Sequence, residues 1–284
     1  MQEEIKIIEC PRDAMQGWPH PIATEAKINY LNQLLKVGFD TLDFGSFVSP
    51  KAIPQMADTK TVVENLYPDE TNLLAIIANF RGAEEAVRHD IIKYLGFPFS
   101  ISPTFQQRNT NSSMEESFER VKQIQGLCKD YGKELVVYLS MGFGNPYNDP
   151  YDASVLLNWA EKMADLGISI ISLSDTVGIA TASQIRFAFE VLIKNFPSVE
   201  FGAHLHSSIH NREEKLDAAY QAGCKRFDGA ILGIGGCPMA QDDLVGNMDT
   251  VYMVDFFQQK NLLPKIDLDE LKLSVAMANE VFSS

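Results

Sequence analysis

Short β-rich runs alternate with longer amphipathic stretches along the whole chain, and this alternation limits the fold more than any other feature of the sequence. Eight runs qualify as strands: Glu4–Cys10, Thr41–Gly45, Leu73–Ala78, Tyr94–Pro103, Glu134–Met141, Ile168–Asp175, Val199–His206 and Arg226–Leu232. Several are almost continuously apolar, as in Leu73-Leu74-Ala75-Ile76-Ile77-Ala78. A parallel strand buried on both faces requires such a run. Helical stretches lie between them: Thr24–Val37 stopped by Gly38, Ser113–Tyr131, Asp152–Leu166 stopped by Gly167, Ala182–Asn195 and Asn211–Ala222. Ser113 and Glu116 have capping-box spacing, and the glycines suit helix ends. Shorter helices are expected in Ser49–Asn65 and Gly82–His89.

Eight β-then-α units in one chain predict an α/β fold of the (β/α)8 TIM-barrel type. No Pro/Gly/Ser-rich linker divides residues 1–284, so one domain is expected, with a C-terminal helical extension from about Asp267. The alternative is a doubly wound sheet with a small second domain. That fold would favour a Gly-rich turn after the first strand, where this chain has Cys10-Pro11-Arg12-Asp13.

Composition narrows the partners. With 24 Lys+Arg against 38 Asp+Glu the formal charge is −14, which argues against nucleic acid or an anionic membrane surface. No apolar run reaches the ~18 residues of a membrane span. The acidic start Met-Gln-Glu-Glu lacks the basic and apolar regions of a signal peptide. The four cysteines, Cys10, Cys128, Cys224 and Cys237, form no CxxC pair. They read as reduced thiols of a cytoplasmic protein, with Cys10 and Cys128 as packing residues.

A barrel of this type carries its chemistry at the C-terminal ends of its strands. The polar residues there are Arg12 and Asp13, Asp43, Asp175, and His204 and His206, with Gly233–Pro238 and Asn247 after the last strand. In His204-Leu205-His206 the two imidazoles share one face of an extended strand. They can ligate one divalent cation, or be satisfied by neighbouring backbone. Acids at other strand ends favour the cation, because His plus Asp is a common set for Mg, Mn or Zn. Arg12 and Asp13 read either as a surface ion pair or as an oxyanion-stabilising cation beside a ligand. Cys237 follows three glycines in Gly233-Ile234-Gly235-Gly236-Cys237. It is either a nucleophile or proton donor on a mobile lid, or a bystander in a glycine turn.

Five stretches together resemble one family. They are Pro11-Arg12-Asp13-Ala14-Met15-Gln16, Gly45-Ser46-Phe47-Val48-Ser49-Pro50-Lys51, Ser174-Asp175-Thr176-Val177-Gly178, Ala203-His204-Leu205-His206 and Gly235-Gly236-Cys237-Pro238-Met239-Ala240. The chain resembles the hydroxymethylglutaryl-CoA (HMG-CoA) lyases over nearly its whole length. The resemblance implies cleavage of 3-hydroxy-3-methylglutaryl-CoA to acetyl-CoA and acetoacetate. It implies Mg2+ or Mn2+ at Asp13, His204, His206 and Asn247. It implies Arg12, Cys237, Asp175 and Asp43 in catalysis, with Arg12 steadying the enolate and Cys237 helping to protonate it. Arg12, Gln16 and Ser46 would touch the substrate. The partner is then an acyl-CoA, not nucleic acid or membrane, and a homodimer is one expected assembly.

The chain also departs from the family. Asp43 stands where Glu is usual, Ser207-Ser208 where Asp-Thr is usual, and Val251 where members carry Glu after Thr. Gly17-Trp18-Pro19 changes the loop expected over the substrate. Two other functions are therefore weighed: a related metal-dependent aldol or Claisen enzyme acting on another hydroxy-acid or acyl-CoA, and a homologue that binds metal without turnover.

Overall fold

Burial on both faces shapes the strands. Leu73, Leu74, Ala75 and Ile77 are all fully buried, and the same holds for Val136, Val137 and Leu139. The computed structural model describes residues 4–236 and 245–283. Its strands are β1 (Lys6–Glu9), β2 (Thr41–Ser46), β3 (Asn72–Ile76), β4 (Ile92–Ser100), β5 (Glu134–Ser140), β6 (Ile170–Ser174), β7 (Glu200–His204) and β8 (Arg226–Gly229). Each pairs in parallel with the next, and β8 returns to β1, closing a (β/α)8 TIM barrel. Closure removes both sheet edges.

Alternation along the strands divides the core in two. Leu74, Ile76, Tyr94, Val136, Tyr138 and Ile170 pack together as the barrel's interior plug. Their sequence neighbours Leu73, Ala75, Leu95, Leu135, Val137 and Ile171 face the helices instead. The expected helices form, several with side-chain caps, although Thr24, the first residue of Thr24–Leu34, makes no capping hydrogen bond. Ser113 and Glu116 make the reciprocal capping box on Met114–Asp130. Asp152 caps Ala153–Asp165, and Thr181 with Gln184 caps Ala182–Asn195. The last helix spans Leu268–Val281, capped by Asp267. Among the described residues no helix is long and apolar enough to cross a membrane.

Four differences from the sequence reading matter. Arg12 and Asp13 lie in a short helix, Pro11–Gln16, not in a turn; Pro11 takes the first helical position, where a missing N–H costs nothing. The fourth strand stops at Ser100 instead of running to Pro103, because Ser102 caps a helix Pro103–Thr110. A further helix, Thr250–Gln259, follows the last strand. The seventh strand ends at His204, so His206 lies beyond it and is fixed by an antiparallel bridge to Asn247.

Candidate metal centre and its surroundings

The site begins where β1 ends. The Pro11–Gln16 helix turns Arg12 and Asp13 into the barrel mouth, and both are buried, at 7% and 5% exposure. From the neighbouring strand, a register shift between Asp43 and Gly45 breaks the ladder to β3. Gly45 is needed beside it, because a Cβ there would come within 2.9 Å of the Thr59 methyl. Asp43 is fully buried. Arg12 Nε donates to Asp43 Oδ1 at 3.2 Å and Oδ2 at 3.0 Å, and Nη2 donates to Oδ2. Nη1 donates to Asp13 Oδ1 at 2.7 Å. One guanidinium therefore clamps two carboxylates, which its planar fork permits.

Asp13 accepts hydrogen bonds from three side chains. Oδ1 also accepts from Gln16 Nε2 at 2.7 Å, and Oδ2 accepts from Asn247 Nδ2 at 2.8 Å. Burial by itself would raise this carboxyl, but Arg12, His204, His206 and Asn247 outweigh it and hold it at about 2. In Asp43 burial prevails over Arg12, and the carboxyl rises to about 6.

His204 and His206 face Asp13. One ligand atom from each of the three lies within 4.8 Å of the others, and the two imidazole centroids are 5.5 Å apart. Burial, together with the nearby His204, pushes His206 down to about 4, which leaves its ring neutral. Burial would lower His204 too, but the hydrogen bond and charge of Asp228 raise it. His204 Nδ1 lies 3.1 Å from Asp228 Oδ2. With Nδ1–H donated there, the lone pair sits on Nε2.

Asn247 completes the ring. Its Nδ2 donates to Asp13 and to the Ile234 carbonyl, both at 2.8 Å, which leaves the amide oxygen as its acceptor. The 245–247 segment is held by Ser207 N–H on Gly246 O at 2.9 Å and Met248 N–H on Leu205 O at 3.0 Å.

The remaining expected residues are placed as follows. Gln16 contacts Asp13 directly. Ser46 ends β2, buried, and its hydroxyl has no partner among the described residues. Asp175 does not meet the Asp13–His204–His206 group directly: Oδ2 accepts from Lys215 Nζ at 2.6 Å and Oδ1 from Ala180 N–H at 3.0 Å. Cys237 lies outside the described residues.

Three residues escaped the sequence reading. Asp228 orients His204; its signal is a lone acid in the last strand. Lys215, on the Arg212–Gln221 helix, is fully buried and donates to Asp175, to the Gly178 carbonyl at 2.9 Å and to the His206 carbonyl at 2.8 Å. Glu9 is fully buried, accepting from Ile231 N–H at 2.9 Å and from the Thr250 hydroxyl. Burial raises Glu9 to about 8. Nothing in the spacing of Lys215 or Glu9 marks them.

Known proteins resemble this chain over nearly its whole length. A hydroxymethylglutaryl-CoA lyase of Bacillus subtilis is 32% identical over 262 residues, covering 92% of this chain and 87% of that protein. A 3-hydroxy-3-isohexenylglutaryl-CoA/hydroxymethylglutaryl-CoA lyase of Pseudomonas aeruginosa is 29% identical, covering 90% of this chain and 86% of that protein. The crystal structure of a B. subtilis HMG-CoA lyase superposes with a TM-score of 0.93 at 31% identity, over 99% of this chain and 94% of that one. That of an Acinetobacter baumannii HMG-CoA lyase, in complex with coenzyme A and 3-methylmalate, gives 0.91 at 28% identity, over 99% of this chain and 92% of that one. The model of the HMGL-like family matches residues 4–277, and the chain belongs to that family.

Proposed function

We propose that this enzyme is a carbon–carbon lyase cleaving 3-hydroxy-3-methylglutaryl-CoA to acetyl-CoA and acetoacetate. The observation that carries the reading is the convergence of Asp13, His204 and His206 at the barrel mouth, with Arg12 bonded to Asp13.

The donor set fits a divalent cation. Asp13 is anionic, His206 is neutral, His204 presents Nε2, and Asn247 keeps its amide oxygen as an acceptor; Mg2+ or Mn2+ accepts oxygen with imidazole nitrogen. When bound, the ion supplies Lewis-acid polarisation of the substrate's 3-hydroxyl and carboxylate oxygens.

The chain's own residues supply the rest. Asp13, held at about 2, is a good ligand and a poor base. Asp43, at about 6, is the better proton acceptor. It is bonded to Arg12, whose charge sits where negative charge develops. As the hydroxyl proton leaves, the C–O oxygen becomes the ketone of acetoacetate. The carbon–carbon bond breaks, and its electron pair passes to the acetyl-CoA enolate, which Arg12 stabilises. A proton donor then completes acetyl-CoA, and Cys237 is assigned that role. Gln16 positions Asp13, and Ser46, with its hydroxyl unpaired among the described residues, is a substrate contact. Asp175, through Lys215, fixes the backbone carrying His206.

The substituent on C3 is the open variable, since the P. aeruginosa relative is named for an isohexenyl as well as a methyl substrate. A cytoplasmic location and a homodimer belong to the same reading; fractionation and sedimentation check them. The decisive assay measures acetoacetate release from HMG-CoA with Mg2+ or Mn2+, before and after chelation. Release should stop on chelation and return with the ion. No release under either ion, with cleavage of the isohexenyl substrate instead, would replace the methyl reading. Metal binding without turnover on either would favour the non-catalytic homologue.

A further inference from the structure

Beneath the Asp13–His204–His206 group lies a second cluster that shares one residue with it. Cys10, His204 and Asp228 each offer one ligand atom, and these also lie within 4.8 Å of one another. Cys10 and Asp228 are buried, at 0% and 2% exposure. Asp228 Oδ2 faces His204 Nδ1 at 3.1 Å, with Ser172 Oγ at 3.5 Å. Asp228 Oδ1 is buried and has no hydrogen-bond partner among the described residues. An uncompensated carboxylate oxygen is costly to bury, so this atom points to a ligand. The Cys10 thiol makes only a long contact, 3.9 Å, to the Ile8 carbonyl. A sulfur, an imidazole nitrogen and a carboxylate oxygen thus meet inside the barrel. That set suits the zinc class of ions and not magnesium.

We propose that Cys10, His204 and Asp228 form an inner site for thiophilic divalent cations, which competes with the outer site for His204. The reason lies in the imidazole. A neutral ring has one lone pair. With the proton on Nδ1, shared with Asp228, the lone pair on Nε2 serves the outer site. With the proton on Nε2, the lone pair on Nδ1 faces Cys10 and Asp228. Filling the inner site forms sulfur, nitrogen and oxygen bonds to the ion. The Cys10 thiol proton leaves to solvent, the His204 proton moves from Nδ1 to Nε2, and no atom changes oxidation state. The inner ion therefore removes one ligand from the outer site and inhibits turnover. With sulfur in the donor set, an ion with little affinity for sulfur stays out. The competition rests on the lyase reading of the outer site; the inner binding does not.

Cd2+ is the probe, used on the full chain stripped by chelation and carrying Cys237→Ala, so that the loop thiol is silent. Ultraviolet thiolate-to-cadmium absorbance should saturate at one ion per chain and vanish in Cys10→Ala. Asp228→Asn should raise the Cd2+ concentration needed by about tenfold or more. Mn2+ followed by electron paramagnetic resonance should be released by Cd2+ at about tenfold lower concentration with Cys10 present than with Ala. Cys10→Val, which fills the space without a donor, serves if the alanine variant fails to fold. Absorbance that persists without Cys10, or never appears with it, overturns the site. Cys10-dependent absorbance with Mn2+ undisturbed overturns the competition. Cys10-dependent absorbance where no Mn2+ binds at all upholds the inner site and refutes the outer one.

Discussion

Arg12 holds Asp13 with one nitrogen and Asp43 with two, so its charge and its planar shape are both in use. Lysine would keep the charge and lose the fork. Arg12→Lys should therefore cut turnover about a hundred- to a thousand-fold, the ~2.7–4 kcal/mol of one lost oxyanion donor. Mn2+ affinity should change far less, because Asp13 keeps Gln16 and Asn247. Steady-state kinetics beside Mn2+ titration checks this; a loss below about tenfold would make Arg12 structural. His204→Ala removes a nitrogen donor and should abolish both Mn2+ binding and turnover, as dialysis and the acetoacetate assay would show. Val251 stands where the resemblance leads one to expect Glu. Asp249 accepts from Val251 N–H as the helix cap and lies 3.7 Å from Arg212. It is committed to the helix start.

Between elements, glycines set how closely the loop after β8 approaches the metal centre. Gly235 has φ +105°, and a Cβ there would come within 2.5 Å of Asn247 Nδ2 and 2.9 Å of the Asp13 carbonyl oxygen. A side chain is strained in that backbone region and obstructed by the site itself. Gly235→Ala should weaken Mn2+ binding by about tenfold or more while leaving the barrel folded. Calorimetric Mn2+ titration and circular dichroism distinguish the two effects. The last helix reaches the same mouth from outside. The Phe282 ring, at its C-terminal end, meets Trp18 edge-on at 5.2 Å and Tyr30 at 6.2 Å. The loop where Gly17-Trp18-Pro19 departs from the family is thereby tied to the chain's C-terminal end.

Barrel closure leaves its own signature on the whole molecule. Glu9, at the end of β1, ties that strand to Ile231 after β8 and to Thr250 on the following helix. Its folded pKa of about 8 stands above the ordinary 4.5. Between those values the folded chain keeps a proton that the unfolded chain has lost. The contribution of Glu9 to stability is therefore fullest below about pH 4.5 and is lost as pH rises towards 8, by at most ~1.4 kcal/mol per pH unit. Glu9→Gln keeps an oxygen acceptor for Ile231 N–H, meets the Thr250 hydroxyl with an amide N–H that donates to its oxygen, and cannot ionise. Its unfolding free energy should decline less than the wild type's between about pH 5 and about pH 8. Urea unfolding at the two pH values checks this; equal declines would show that Glu9 is ionised in the folded chain.

The sequence by itself determined the barrel and most of the metal-site candidates. Eight buried strands and their capped helices follow from local patterns, which hydrophobic period and capping chemistry write directly into neighbouring residues. The His-Leu-His triplet and the Arg-Asp pair were legible for the same reason: their spacing is short. Tertiary structure alone decided what the polar residues do to one another. Asp43 meets Arg12 from 31 positions away, Asn247 meets Asp13 from 234, and Asp228 meets His204 from 24. Buried charges must find partners, and in a closed barrel those partners lie on other strands. No local pattern marks Lys215 or Glu9, because their burial comes from the packing of segments far apart in the chain. The extent of β7 was decided the same way. His206 faces Asp13 because Asn247 returns from the far end of the chain to bridge it, and not because the strand continues that far.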